Sequence, residues 1–298
     1  QSSRVLESKT SLDLLEILGN VSYDDSNGTS LDYDEVPCRN QYCDFFQRVA
    51  PAFLATTCAT AAVGTGALLV ALAKWPHAWS WPQSRALVAQ LALGTGLFAA
   101  VLPVVAVGAG QGWRLGTGLC KLTHLLWHWS LFAQGLLVGS GSWSTIWCRW
   151  DHRSRRLAVA VWAGALVLAT PVALASGSAA AEPSCLRRSV DVLSPPYLVH
   201  LTLCLCLFLL LPAALPVATL ALPRLRAGWQ PAAGVSWLLV GLWVPYGVGL
   251  AVDFLLHTQV LRPTCGTFES FDYVLGACEG LGVLHACLGP AALLAAGF

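Results

Sequence analysis

ALVAQLALGTGLFAAVLPVVAVG, residues 86–108, runs for 23 positions without a charged side chain. An α-helix rises about 1.5 Å per residue, so this stretch is long enough to cross a hydrocarbon core roughly 30 Å thick. Only Gln90 and Thr95 interrupt its aliphatic and small residues with hydrogen-bonding side chains. Six further runs of the same character lie at 49–73, 120–148, 157–175, 196–222, 232–257 and 269–298, which predicts a seven-span, all-α membrane protein. The connections between them (74–85, 109–119, 149–156, 176–195, 223–231 and 258–268) are too short to fold as another domain. Residues 1–47 form a separate tail ahead of a 48–298 bundle.

Composition agrees. The chain is 56% hydrophobic and 11% charged, against about 25% charged in an ordinary soluble domain. The net charge of +1 conceals an acidic head. Residues 1–47 carry Glu7, Asp13, Glu16, Asp24, Asp25, Asp32, Asp34, Glu35 and Asp44 against Arg4, Lys9 and Arg39. Such a polar, acidic segment buries too little apolar surface to order itself and is expected to be disordered. No basic-apolar-small leader opens the chain, so the first span is expected to direct insertion. The chain has no Met, which suggests that a native start precedes Gln1.

An odd number of spans puts the termini on opposite sides, and the Lys/Arg bias chooses between them. With the tail outside, the inner loops and their edges hold Lys74, Arg85, Arg149, Arg153, Arg155, Arg156, Arg224 and Arg226. The outer loops hold the smaller set Arg114, Lys121, Arg187, Arg188 and Arg262. Two glycosylation sequons, at Asn20 and Asn27, also require an extracellular tail. The basic 149–156 segment is most simply a positive-inside cluster against anionic lipid.

Six of the 11 cysteines (Cys58, Cys148, Cys204, Cys206, Cys278 and Cys287) lie in apolar spans and read as small buried hydrophobes. The other five, Cys38, Cys43, Cys120, Cys185 and Cys265, fall on the outer side, where disulfides persist. Cys120 tops the third span and Cys185 sits in the 176–195 loop, so this pair can staple the loop over the bundle mouth. Cys265 would then tie to Cys38 or Cys43, and the spacing leaves that choice open. Zinc at Cys38 and Cys43 is disfavoured by their separation and by the lack of a nearby His.

Several strings, taken in order, resemble rhodopsin-like receptors and, within them, the chemokine-receptor group. Trp113-Arg-Leu-Gly116-Thr-Gly-Leu-Cys120-Lys121 is similar to that group's outer-loop motif. Trp243-Val-Pro245-Tyr246 resembles its span-six string, and His285-Ala-Cys287-Leu-Gly-Pro290 its span-seven string. Trp162 and Pro212 occupy further landmarks, so the resemblance covers nearly the whole chain. It implies a rhodopsin-like helix bundle.

The same alignment exposes four departures. Ser144, Thr145 and Ile146 stand where the Asp-Arg-Tyr triplet would meet a G protein. Thr95 replaces the span-two acid that binds sodium, and Val101 replaces the Thr two residues before Pro103. Gly289 and Leu293 replace the amide and the phenol of the span-seven Asn-Pro-x-x-Tyr. Loss of these switch positions resembles the atypical, Duffy-type branch of the group, as do the strings at 91–94, 172–177 and 243–255. The divergence from that pattern suggests a vertebrate source outside the mammals.

That resemblance implies a receptor for inflammatory CC and CXC chemokines without productive G-protein coupling. It implies control of ligand levels by sequestration, internalisation, degradation or transcytosis, at the plasma membrane and in early and recycling endosomes. It also allows pathogen ligands and homo- or hetero-oligomers with other chemokine receptors, beside contacts with membrane lipids. No cofactor, metal or nucleic acid is called for. Chemokines are basic, and an acidic tail suits their capture by long-range attraction. Ligand-contact candidates are therefore Tyr23, Asp24, Asp25, Asp32, Tyr33, Asp34 and Glu35, with sulfation of Tyr33 and Tyr23 implied by the resemblance. Within the bundle, Glu279 and Asp253 are candidates because intramembrane acids are costly unless they are paired or face a wet cavity. Asp253 also reads as a helix-end acid near the outer water. Trp127, Trp243 and His285 read as core residues.

His124 and His128 stand four apart, a metal-compatible spacing, but no third ligand presents itself along the sequence. Enzyme and transporter readings lack support, since the spans show no nucleophile–base pair, Asp pair or paired helix breaks. A conventional G-protein-coupled peptide receptor with degenerate motifs is the closest rival. The chain stops at Phe298, before the amphipathic helix and tail that would carry arrestin sites.

Overall fold

The structure is a computed structural model that describes residues 42–75, 85–111, 113–141, 152–175, 177–178, 185–186, 195–210, 231–258, 260–261 and 265–297. In chain order these are α1 (Tyr42–Lys74), α2 (Arg85–Gln111), α3 (Gly116–Gly141), α4 (His152–Ala175), β1 (Gly177–Ser178) and β2 (Cys185–Leu186). They continue with α5 (Pro195–Leu205), a π-helical turn (Cys206–Leu210), α6 (Pro231–His257), α7 (Cys265–Val283) and α8 (His285–Gly297). Apart from the two-residue strands, every element is helical. Seven spans result, with α7 and α8 together making the last.

Among the described residues, Arg48–Lys74, Arg85–Gln111, Arg155–Leu174, Leu238–Leu256 and Ser270–Ala295 are each long and apolar enough to cross a membrane. At 26 residues α3 is equally long, but it carries His124, His128, Ser130 and Gln134 along its core face. The fifth span shows a shorter apolar stretch, Leu198–Leu210. Outward-facing apolar residues such as Val63, Val159, Val167 and Leu174 are more than half exposed, as expected where acyl chains replace water.

Five helices carry an interior proline: Pro51, Pro103, Pro171, Pro245 and Pro290. Each lacks the N–H that an α-helix returns to residue i−4 and so leaves a gap in the backbone ladder. Two of these rings meet glycines of neighbouring helices. A Cβ at Gly110 would lie 3.0 Å from Pro51, and one at Gly64 would lie 3.4 Å from Pro290. Small residues at these crossings let α2 approach α1 and α1 approach α8.

Phe98, Phe132, Phe208 and Trp243 are among the largest fully buried side chains. They belong to one core cluster reaching from α1 to α8. A second, separate cluster joins Leu68 and Leu72 of α1, Val88 and Ala92 of α2 and Leu293 of α8. Beside it, Arg85 donates from Nη2 to the Leu72 carbonyl at 2.9 Å, closing the end of α1.

Helix α1 begins at Tyr42, so its first turns run ahead of the first span, which the sequence put at 49–73 and which the structure gives as Arg48–Lys74. The reason is tertiary: Phe45 and Phe46 pack on Tyr273 of α7 at ring-centre distances of 6.0 and 6.1 Å. The last span is not continuous, because a turn at Leu284 separates α7 from α8. There the Leu284 N–H is shared between the carbonyls of Gly280 and Leu281.

Candidate ligand-binding mouth and transmission route

Among the described residues, one covalent bond ties the elements of the mouth together. Cys120 at the top of α3 and Cys185 of β2 form a disulfide, with Cα atoms 5.7 Å apart and a sequence separation of 65. Strand β1 pairs antiparallel with β2, Gly177 opposite Leu186 and Ser178 opposite Cys185. The hairpin that leaves α4 is thereby fixed to α3.

Just before Cys120 the chain makes a tight turn. The Trp113 indole N–H donates to the Gly116 carbonyl at 2.9 Å, and Gly116 has φ +80°. That conformation disfavours any residue with a Cβ. Trp113 is buried, and its ring lies where a Cβ at Gly108 would be, 2.6 Å from its Cε3. The Trp-x-x-Gly spacing thus clips the end of α2 to the start of α3 and sets the height of Cys120.

Below the disulfide, His124, Trp127 and His128 are buried on α3. The His128 ring stands 5.1 Å from that of His200 on α5. Trp127 packs on Phe98 with centres 4.5 Å apart, and Phe98 packs on His285 at 4.7 Å. His285 neighbours Trp243, which stacks on Phe208 at 5.5 Å and meets Tyr246 edge-on at 5.6 Å. Trp127, Trp243 and His285 are therefore core residues, as the sequence suggested. Helix α7 passes Trp243 at Gly282, where a Cβ would sit 2.7 Å from the indole.

His285 Nδ1 lies 2.7 Å from the Gly282 carbonyl and 3.2 Å from the Trp243 Nε1. One nitrogen cannot donate to the first and accept from the second at once. The shorter contact favours a proton on Nδ1 donated to Gly282, which makes Nε2 the acceptor. Nε2 is buried and finds no hydrogen-bond partner among the described residues.

Farther from the mouth, Thr95 is buried and its hydroxyl lies 3.0 Å from both the Leu91 carbonyl and Gln134 Oε1. Gln134 donates from Nε2 to the Ser130 carbonyl at 3.2 Å. Gly94 makes room for this pair, since a Cβ there would be 2.6 Å from Gln134 Cγ. Thr95, Gln134, His285, Gly289 and Leu293 share the lining of one small cavity of about 30 Å³ with Leu91, Val138 and Leu239. Three predicted switch positions, Thr95, Gly289 and Leu293, thus meet in one place. Among the described residues, that lining includes no carboxylate to meet a cation.

Asp253 and Glu279 stand on different helices, α6 and α7. Asp253 of α6 is only 1% exposed. It sits one turn before the end of α6 with the Phe254 and Leu250 side chains also packed into the core cluster. Glu279 of α7 is half-buried, one turn above Val283. Tyr23, Asp24, Asp25, Asp32, Tyr33, Asp34, Glu35, Asn20, Asn27 and Cys38 lie outside the described residues, as do Ser144, Thr145 and Ile146. The backbone of Cys265 opens α7, but its side chain is outside the description too.

Sequence reading missed Gln134, His200 and Cys204. Gln134 carried a usable signal as the one amide of the third span; His200 and Cys204 became meaningful only when α5 was placed against α3.

No protein-family model matches the chain. Atypical chemokine receptor 1 of Gorilla gorilla gorilla is 30% identical over 300 aligned positions, 95% of this chain and 85% of the relative. The Papio hamadryas receptor of that name is 31% identical, covering 94% of this chain and 84% of its own length. The Mus musculus receptor is 30% identical, covering 93% and 83%. With the seven-span bundle, the Cys120–Cys185 staple and these full-length similarities together, the chain belongs to the atypical chemokine receptor 1 family.

Proposed function

We propose that this membrane protein captures inflammatory CC and CXC chemokines at the plasma membrane and does not turn that binding into G-protein activation. The observation that carries the reading is the uncharged cavity at Thr95, Gln134, Gly289 and Leu293. A ligand shifts a conformational equilibrium only by its differential affinity for the two states. A bundle without a charged latch or a cation at its centre offers little such difference.

Capture begins at the tail. Residues 1–47, outside the membrane with glycans at Asn20 and Asn27, attract basic ligands through Asp24, Asp25, Asp32, Asp34 and Glu35, strengthened by sulfated Tyr33 and Tyr23. A second disulfide from Cys265 to Cys38 or Cys43 brings the tail to the mouth. Glu279 and Asp253 then contact the inserted end of the ligand. Bound ligand is internalised into endosomes and degraded or carried across the cell.

The test is a mixed panel of CC and CXC chemokines applied to cells expressing the chain, with nucleotide exchange measured on the purified, reconstituted receptor. Broad binding with no ligand-evoked exchange supports the reading. Exchange above the empty-membrane level would overturn it and favour a conventional receptor. Alanine at Tyr33 and Glu279 should weaken chemokine binding; unchanged affinity in both would point to an adhesion or pathogen-docking surface.

A further inference from the structure

We propose that His124, His128 and His200, with Cys204 as fourth ligand, form a binding site for a divalent transition-metal ion, zinc by preference, between α3 and α5. The pairs His124/His128 and His200/Cys204 are each spaced by four, so each presents two donors on one helix face. The two faces meet. The His128 and His200 rings are 5.1 Å apart, and those of His124 and His128 are 6.0 Å apart. Two imidazoles on one tetrahedral zinc, each with a Zn–N bond of about 2.0 Å, place their ring centres about 5 Å apart. Cys204 Sγ lies 3.7 Å from both ring nitrogens of His200.

The hydrogen bonding of His128 suits a ligand. Its Nδ1 is 2.8 Å from the His124 carbonyl. A proton donated there leaves Nε2 as the basic nitrogen, the second-shell pattern that orients metal-bound histidines. His128 and Cys204 are almost fully buried, while half-buried His200 stands two turns into α5 and leaves a way in. His124 also lies within 4.8 Å of the sulfurs of Cys120 and Cys185, but those sulfurs are bonded to each other and supply no thiolate. The donors that remain for His124 are across the bundle. Three nitrogens and a sulfur suit zinc or copper, not magnesium or calcium, and ligation by Cys204 releases its thiol proton to solvent. As they stand the four donor atoms do not all lie within 4.8 Å of one another, so metal binding must turn the His124, His128 and His200 rings toward Cys204 about their side-chain bonds. The site does not depend on which ligand the receptor captures.

The experiment is a cobalt(II) titration of the whole receptor in lipid nanodiscs, followed by displacement with zinc. One equivalent should give the visible bands of tetrahedral cobalt, together with a thiolate-to-cobalt charge-transfer band that is lost in C204S. H128N and H200N should each weaken binding at least about tenfold. A metal-free thermal transition shows that each variant is folded, and H124Q or H200Q replaces any that is not. No tetrahedral spectrum in the parent, or a full-strength spectrum in both H128N and H200N, overturns the site. A parent spectrum without the charge-transfer band overturns the assignment of Cys204.

Discussion

Around the mouth, α2, α3 and α5 bring together a disulfide, an indole latch and the rings of His124, His128 and His200. At the opposite end, α1, α2 and α8 meet over Leu68, Leu72, Val88, Ala92 and Leu293. The first region is rich in directional groups and anchored covalently; the second is aliphatic packing, which has no directional preference. In the receptor pattern, a tyrosine would stand where Leu293 now fills that packing. The contrast shows how polar contacts at one end can be removed without unfolding the bundle: apolar volume replaces them.

Four substitutions probe that contrast. The largest effect is expected from Cys120→Ala, which frees the loop joined across 65 residues and should cost about 2–5 kcal/mol. Thermal unfolding in detergent, with and without reductant, measures it; the reductant should act more on the parent than on the variant, where only the proposed tail disulfide is left to break. Next, Leu293→Ala empties part of the far-end cluster and should cost about 2–4 kcal/mol. If the melting temperature stays put, packing does not hold that end together. Gly282→Ala drives a Cβ into Trp243, with an expected loss of about 1–3 kcal/mol. Tryptophan fluorescence should shift with it, and an unshifted spectrum would mean that α7 can move aside. Smallest is Thr95→Val, which leaves Gln134 Oε1 without its hydroxyl donor and should cost about 1 kcal/mol. A neutral or stabilising result would show that the cavity lining tolerates fully apolar character.

The spans were legible as apolar runs and the Cys120–Cys185 staple because both cysteines fall on the outer side of the bundle; Trp113 and Gly116 stood out only as a motif resemblance, not as a turn. Burial of Asp253, the Thr95–Gln134 bond and the approach of His200 to His128 were not legible. They depend on how far each helix is rotated about its axis, and apolar spans reveal little of that because lipid-facing and core-facing residues are alike in polarity. Gly94 and Gly282 were silent for a related reason: their role is visible only once the Gln134 and Trp243 side chains occupy the space. The start of α1 at Tyr42 was hidden by the acidic residues nearby, although Phe45 and Phe46 could have signalled contact.

The turn at Leu284 divides the seventh span into two shorter rods, with Glu279 on the upper and Gly289 and Leu293 on the lower. Their shared joint is supported by a divided hydrogen bond, and Pro290 deprives the lower rod of one more backbone link. Mechanically, such a joint is compliant in bending. A displacement imposed on the upper rod would meet this joint before it reached Gly289 and Leu293, and a change of angle near Leu284 is the response that the divided hydrogen bond favours.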